Sequence, residues 1–286
     1  MSVPVWVITG SGNGFGKAIA LEALNRGHKV IATARNASKL SDLQAVGAEV
    51  LNLDVTADLE DLKKIAAEVN AKYGCVTHLI NAAGYILEAA IEEASPKETF
   101  DHFNTNVFGA VNVTRAFLPY MRAQKKGVIA NFGSMASWGG GPAYGLYAAT
   151  KWAISGISES LRTELEPFGI KTIVIEPGYF RTSFLNPGAR IKSEVQMKEY
   201  EETVVGYVRK MLDNADNNQP GDVKKGAKVI VDVLTKSGLA EGKDIPMRLA
   251  LGSDADAFIR AKLTDTETLL TEWKDATYST DYPKVE

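Results

Sequence analysis

Cysteine is nearly missing: Cys75 is the only one in 286 residues. A lone thiol cannot close an intrachain disulfide and argues against a cysteine-held metal, so Cys75 reads as a core residue. The three histidines, His28, His78 and His102, lack metal-ligand spacing, and no metal is expected. No apolar run reaches the roughly 18 residues of a membrane span. No basic run offsets a net charge of -3 and a pI near 5.8. Nucleic acid and anionic membrane are therefore not expected as partners. Repeats, low-complexity tracts and a second domain are also missing, so residues 1–286 are expected to form a single domain. Val3 to Thr9 reads as a buried strand rather than a secretion signal. Asn36-Ala-Ser and Asn112-Val-Thr match the glycosylation pattern, which carries no weight without secretion. The expectation is a soluble protein of a reducing, cytoplasmic compartment.

What is present is an alternation of short apolar runs with helical periodicity. Strands are expected at 3–9, 29–35, 49–54, 77–81, 127–132, 171–176 and 246–251. Helices are expected at 17–26, 57–73, 96–121, 146–166, 224–236 and 263–276. This rhythm predicts an α/β, doubly wound parallel sheet covered by helices on both faces. Residues 179–218 break it: long, charged and locally amphipathic, they read as a helical lid over the strand ends, or as a surface excursion with its own small core. In the 96–121 helix, Phe100, Phe103, Val107 and Thr114 fall on one face and read as core. Asn104 and Asn106 interrupt that helix, where an asparagine can bend the backbone or hold water.

Five stretches carry chemistry. The first strand runs directly into Thr9-Gly10-x-x-x-Gly14-x-Gly16 at a helix start, with Asn13 and Phe15 beside the glycines. Free N–H groups and the positive helix end there suit a pyrophosphate. After the second strand stand Ala34 and Arg35, with no acid before Asp42. A guanidinium suits the 2′-phosphate of NADP, whereas a carboxylate would repel it. Asp54 either meets the adenine edge, beside Val55, or caps the following helix. Asn81-Ala82-Ala83-Gly84 leaves room for a flat ligand at a strand's carboxyl end.

The fifth stretch, Gly133 to Lys151, sets Ser134 thirteen positions before Tyr147 and Tyr147 four before Lys151. On a helix, residues four apart share a face. A cation about 5 Å from the phenol, at an effective dielectric of roughly 20, favours phenolate by on the order of 3 kcal/mol. That is roughly two pKa units below the usual 10, enough for an acid/base working near neutral pH. Tyr144 lacks such a partner, since Ala148 stands four residues on.

In this order, the elements resemble the short-chain dehydrogenase/reductase family over roughly 3–182, in its branch with Thr-Gly-x-x-x-Gly-x-Gly and Tyr-x-x-x-Lys. The resemblance implies a Rossmann-like domain and reversible hydride transfer between NAD(P)(H) and a carbonyl/alcohol pair, with Arg35 in the pattern that prefers NADP(H). It assigns Tyr147 as acid/base, Lys151 to pKa tuning and the nicotinamide ribose, Ser134 to the substrate oxygen, and Asn106 to a helix bend and a relay water. It adds Pro177, Gly178, Phe180 and Thr182 to the cofactor site, the last two at the carboxamide. The bulky Tyr179-Phe180 pair departs from the smaller residues frequent there. Trp138, Tyr144, Tyr179 and Phe184 are expected at the substrate, a hydrophobic ketone or alcohol. Trp152, Gly156, Ser160 and Thr163 form a small-residue helix face suited to a homodimer, or a homotetramer. The rival readings are an NADP-binding regulatory or scaffold protein without turnover, and a sugar-nucleotide epimerase or dehydratase, which the glycine spacing and short C-terminal part disfavour.

Overall fold

The first strand, β1 (Val5–Ile8), reads Val-Trp-Val-Ile and is buried throughout. Alternate strand residues face opposite ways. Trp6 and Ile8 accordingly join one core, and Val5 and Val7 the other. A strand buried on both faces belongs inside a parallel sheet. The structure, a computed structural model, describes residues 3–216 and 218–282. Its main sheet holds β1, β2 (Lys29–Ala34), β3 (Glu49–Asn52) and β4 (His78–Asn81). After a short β5 (Ile86–Glu88) outside it come β6 (Gly127–Phe132) and β7 (Ile170–Pro177). A second short strand, β8 (Arg190–Lys192), precedes β9 (Arg248–Leu251). The order β3-β2-β1-β4-β6-β7-β9 is parallel throughout. The chain changes direction across the sheet between β1 and β4, the place where such folds open a crevice.

Helices cover both faces, as the rhythm predicted. On one face, α1 (Gly14–Asn25) and α8 (Val223–Thr235) bury Ile19, Ala23, Ile230 and Leu234. The short α2 (Ser41–Ala45) adds Leu43 to this core. On the other face, α3 (Leu59–Tyr73) and α5 (Ala110–Gln124) bury Leu62, Val69, Val113 and Phe117. The helix α6 (Gly145–Glu164) lies along β7.

Three expectations need correction. The helix expected over 96–121 is broken into α4 (Pro96–Phe103), a π-helical stretch Asn104–Gly109, and α5. One extra residue in a turn rotates the rest of the helix by about 100°. The stripe drawn from Phe100 to Thr114 therefore does not hold. Val107 and Thr114 are buried, but Phe100 is 59% exposed and joins Phe108 in an open apolar patch. The lid over 179–218 is only partly helical: α7 (Val204–Ala215) comes after β8, which pairs in parallel with β5. Three-residue strands carry too little alternation to be recognised in sequence. Finally, α9 (Ser253–Glu272) starts ten residues earlier than expected, and α10 (Lys274–Tyr278) lies beyond it. Past Leu263 these two helices are exposed.

Candidate active site

A cavity of about 620 Å³ opens at the carboxyl ends of the central strands. One end is built by the glycine turn. Gly10 sits at φ +67°, and a Cβ there would lie 2.8 Å from the Ala83 backbone. Only glycine fits both the conformation and the space. Gly16 packs equally tightly on the Gly10 carbonyl. The Thr9 hydroxyl accepts the N–H groups of Ala82 and Ala83, tying the two strand ends together. At the start of α1, Asn13 makes no side-chain cap, and the first turn holds no acid. The leading N–H groups thus stay free for an anion at the positive helix end. Gly14, Phe15, Arg35, Asp54, Val55 and Gly84 also line the cavity.

Asp54 is not a helix cap: its carboxylate accepts the Thr56 N–H and hydroxyl in a local turn. Asn81 departs from its expected place. Its side chain is buried in the sheet, donating to Asn131 at 2.8 Å and Thr114 at 3.1 Å, and it does not line the cavity. The amide ties β4 to β6 and to α5. Pro177, Gly178, Phe180 and Thr182 do line the cavity, with Phe180 packed on Phe15.

Ser134, Tyr147 and Lys151 converge beside this cradle. The short turn Met135–Ser137 after β6 presents Ser134, and α6 presents the other two from one face. Lys151 is 6% exposed, donates to the Phe132 carbonyl at 2.7 Å, and lies 5.5 Å from the Tyr147 ring centre. Burial pushes its ammonium down to about 8. Burial also drives the Tyr147 hydroxyl above the usual phenol range, and the neighbouring Ser134 hydroxyl pulls less strongly the other way. This reverses the expectation that Lys151 holds Tyr147 low. Both groups lose hydration together, and desolvation penalises each charged form.

Asn106 lies under the site in the π-helical stretch, a distortion frequent at functional sites. Its amide clamps the Tyr85 peptide, accepting the N–H at 3.0 Å and donating to the carbonyl at 2.9 Å. It also contacts His102 and Thr150. On this side chain, only the second lone pair of Oδ1 is left for the relay water the resemblance implies.

Tyr144, Tyr179 and Phe184 line the cavity, but Trp138 does not. Its indole donates to Glu176 at 2.9 Å under the Arg248 guanidinium, which draws it behind the wall. The triple glycine beside it makes room for other rings: Phe258 packs on Gly139 and Tyr144 on Gly141. Phe258, Tyr85, Ile191, Leu212 and Gln219 are lining residues that sequence reasoning missed. Gln219 is buried, and its amide has no hydrogen-bond partner among the described residues. Its place just before α8 carried no motif that could have marked it. No metal-holding cluster exists among the described residues.

The short chain dehydrogenase family model matches residues 4–190. The chain belongs to the short-chain dehydrogenase family. Among similar proteins, the oxidoreductase claN of Passalora fulva is 40% identical over 189 residues, 65% of this chain and 86% of that protein. The 3-ketodihydrosphingosine reductase of Bacteroides thetaiotaomicron is 32% identical over 238 residues, 83% and 86% of the two chains. A short-chain dehydrogenase crystal structure from Streptomyces avermitilis, 40% identical, superposes with a TM-score of 0.89 over 98% of this chain and all of that one. Solved structures of the same fold hold NAD in one case and NADP in others. No helix among the described residues is long and apolar enough to cross a membrane.

Proposed function

We propose that this short-chain dehydrogenase is a ketone reductase that uses NADP(H) and acts on a hydrophobic small molecule. One observation carries the reading: Ser134, Tyr147 and Lys151 meet in the same cavity whose other end is a glycine cradle open to an anion. Gly10 to Gly16, Arg35, Asp54, Val55 and the 177–182 loop would hold NADP(H), which when bound would supply or take the hydride. Ser134 holds the substrate oxygen. Tyr147, a phenol protonated at neutral pH, gives that oxygen a proton on reduction and takes one from the alcohol in reverse. Lys151 keeps a cation beside the phenol and reaches the ribose, while Asn106 fixes the Tyr85 wall and the relay water. Arg35 at the end of β2 lines the cavity and favours the 2′-phosphate. The aromatic and aliphatic lining favours an apolar substrate, and the relative named for a keto-sphingoid reduction fits that class.

The exposed Phe100 and Phe108 patch and the open face of α6 at Trp152, Gly156, Ser160 and Thr163 favour a second copy of this chain as their cover. An NADPH-oxidation screen over aliphatic and aromatic ketones, run in parallel with NADH, tests the reading. Turnover with NADPH on at least one apolar ketone is expected. NADPH binding without turnover on any of them would favour a regulatory role instead.

A further inference from the structure

The densest buried charge among the described residues lies under the lid, outside the chemistry of the reductase site. Glu88 in β5 and Glu93 shortly after it have side chains with no exposed surface. Two lid arginines meet them. Arg190 of β8 bonds to Glu88 and, at the rim, to Asp213. Arg209 of α7 bonds to Glu93 and stands 3.7 Å from Glu88. Their side chains are 4% and 10% exposed, and the four buried charges cancel. Glu93 further accepts the N–H groups of Ala90 and Met197, so one carboxylate ties three segments together. Facing each other across the 3.7 Å gap, Glu88 Oε1 and Arg209 Nε make no hydrogen bond among the described residues. That gap is the loose joint of the network.

The neighbours of these charges connect the network to the cavity. Ile86 precedes Glu88 by two positions in β5, Ile191 comes directly after Arg190, and Leu212 lies one turn beyond Arg209. All three line the cavity. Lifting the lid would part buried charges, and leaving one unpaired in a low-dielectric interior is strongly unfavourable.

We propose that Arg190 and Arg209 are positioning residues: held by Glu88 and Glu93, they make the lid a fixed wall that sets where Ile191 and Leu212 meet the substrate. This rests on the reading of the cavity as the reductase site. The test compares Arg209→Met, which strands Glu93, with Arg209→Met combined with Glu93→Gln, which removes both charges. In the single variant, amide hydrogen exchange over 190–192 and 204–215 should rise by about tenfold or more, with β1, β4 and β6 unchanged. NADPH affinity should stay within about twofold, while KM for any ketone the wild type reduces rises about fivefold and kcat holds. The double variant should recover at least half of both effects. Arg209→Lys, which keeps the charge but loses the fork, should fall between and serves if the methionine variant does not fold. Unchanged exchange in the lid, an equal rise in β1 and β4, or NADPH affinity falling in step with a rising KM would overturn the proposal. If no ketone is reduced, the reductase reading fails while the exchange result still decides the lid.

Discussion

Replacing Lys151 with Met should change how stability depends on pH, by an amount the structure sets. Buried Lys151 loses its proton near pH 8 in the folded protein, against an ordinary 10.5. Between those values the unfolded chain binds more protons than the folded one. Wild-type stability therefore rises with pH across that window relative to a variant that carries no proton there. At pH 7 the ammonium bears its full desolvation cost; by pH 9.5 most of it is relieved. A shift of this size corresponds to about 2 kcal/mol between pH 7 and 9.5. Stopping at 9.5 keeps the experiment below the usual phenol pKa near 10, so Tyr147 ionisation in the unfolded chain intrudes little. The assay is urea unfolding of both proteins at matched ionic strength. Taking the difference between them removes fixed contributions, including the lost hydrogen bond to the Phe132 carbonyl. A stability difference that moves in favour of wild type by about 2 kcal/mol supports the geometry. A flat difference would show that Lys151 is hydrated and would remove the basis for its place beside Tyr147.

Arg35→Asp should reverse the preference for NADPH over NADH, with a loss of about 1.5–3 kcal/mol in NADPH binding, read by titration; equal wild-type affinity for the two would refute the pairing. Gly10→Ala forces a side chain into a left-handed position against Ala83 and should cost about 1–3 kcal/mol in thermal unfolding, together with most cofactor affinity. Phe100→Asp should turn a homodimer into a monomer by light scattering at micromolar concentration, and a wild-type monomer would remove the proposed interface.

The sheet was legible because its central strands are buried on both faces, so their apolar runs are unbroken and the flanking helices are amphipathic. Gly10 and Gly16 were legible because only glycine tolerates their packing. Ser134, Tyr147 and Lys151 could be placed together because one turn and one helix carry all three. The misses have a common cause in distance along the chain. Trp138 is drawn away by Glu176 and Arg248, which lie on later strands. Asn81 is captured by Asn131 from its neighbouring strand. The π-helical turn at Asn104 shifts the face of Phe100: Asn104 and Asn106 mark a break in the helix, but not the change of register across it. Glu88 and Arg190 are 102 positions apart, so their pairing and the small β5–β8 sheet are visible only in three dimensions. The direction of the Tyr147 shift is not legible in the sequence for a related reason. Spacing gives the cation's proximity, whereas burial, which dominates, depends on the whole fold.

Tyr147→Phe tests the proposed chemistry most directly. The change removes one oxygen, keeps the ring's packing against Phe184, and leaves the glycine cradle untouched. With NADPH and a ketone the wild type reduces, turnover should fall by about 10²- to 10⁴-fold, the loss expected for a missing general acid, while NADPH affinity stays close to wild type. Turnover near the wild-type rate would contradict the assignment and move the proton to Tyr144 or a bound water.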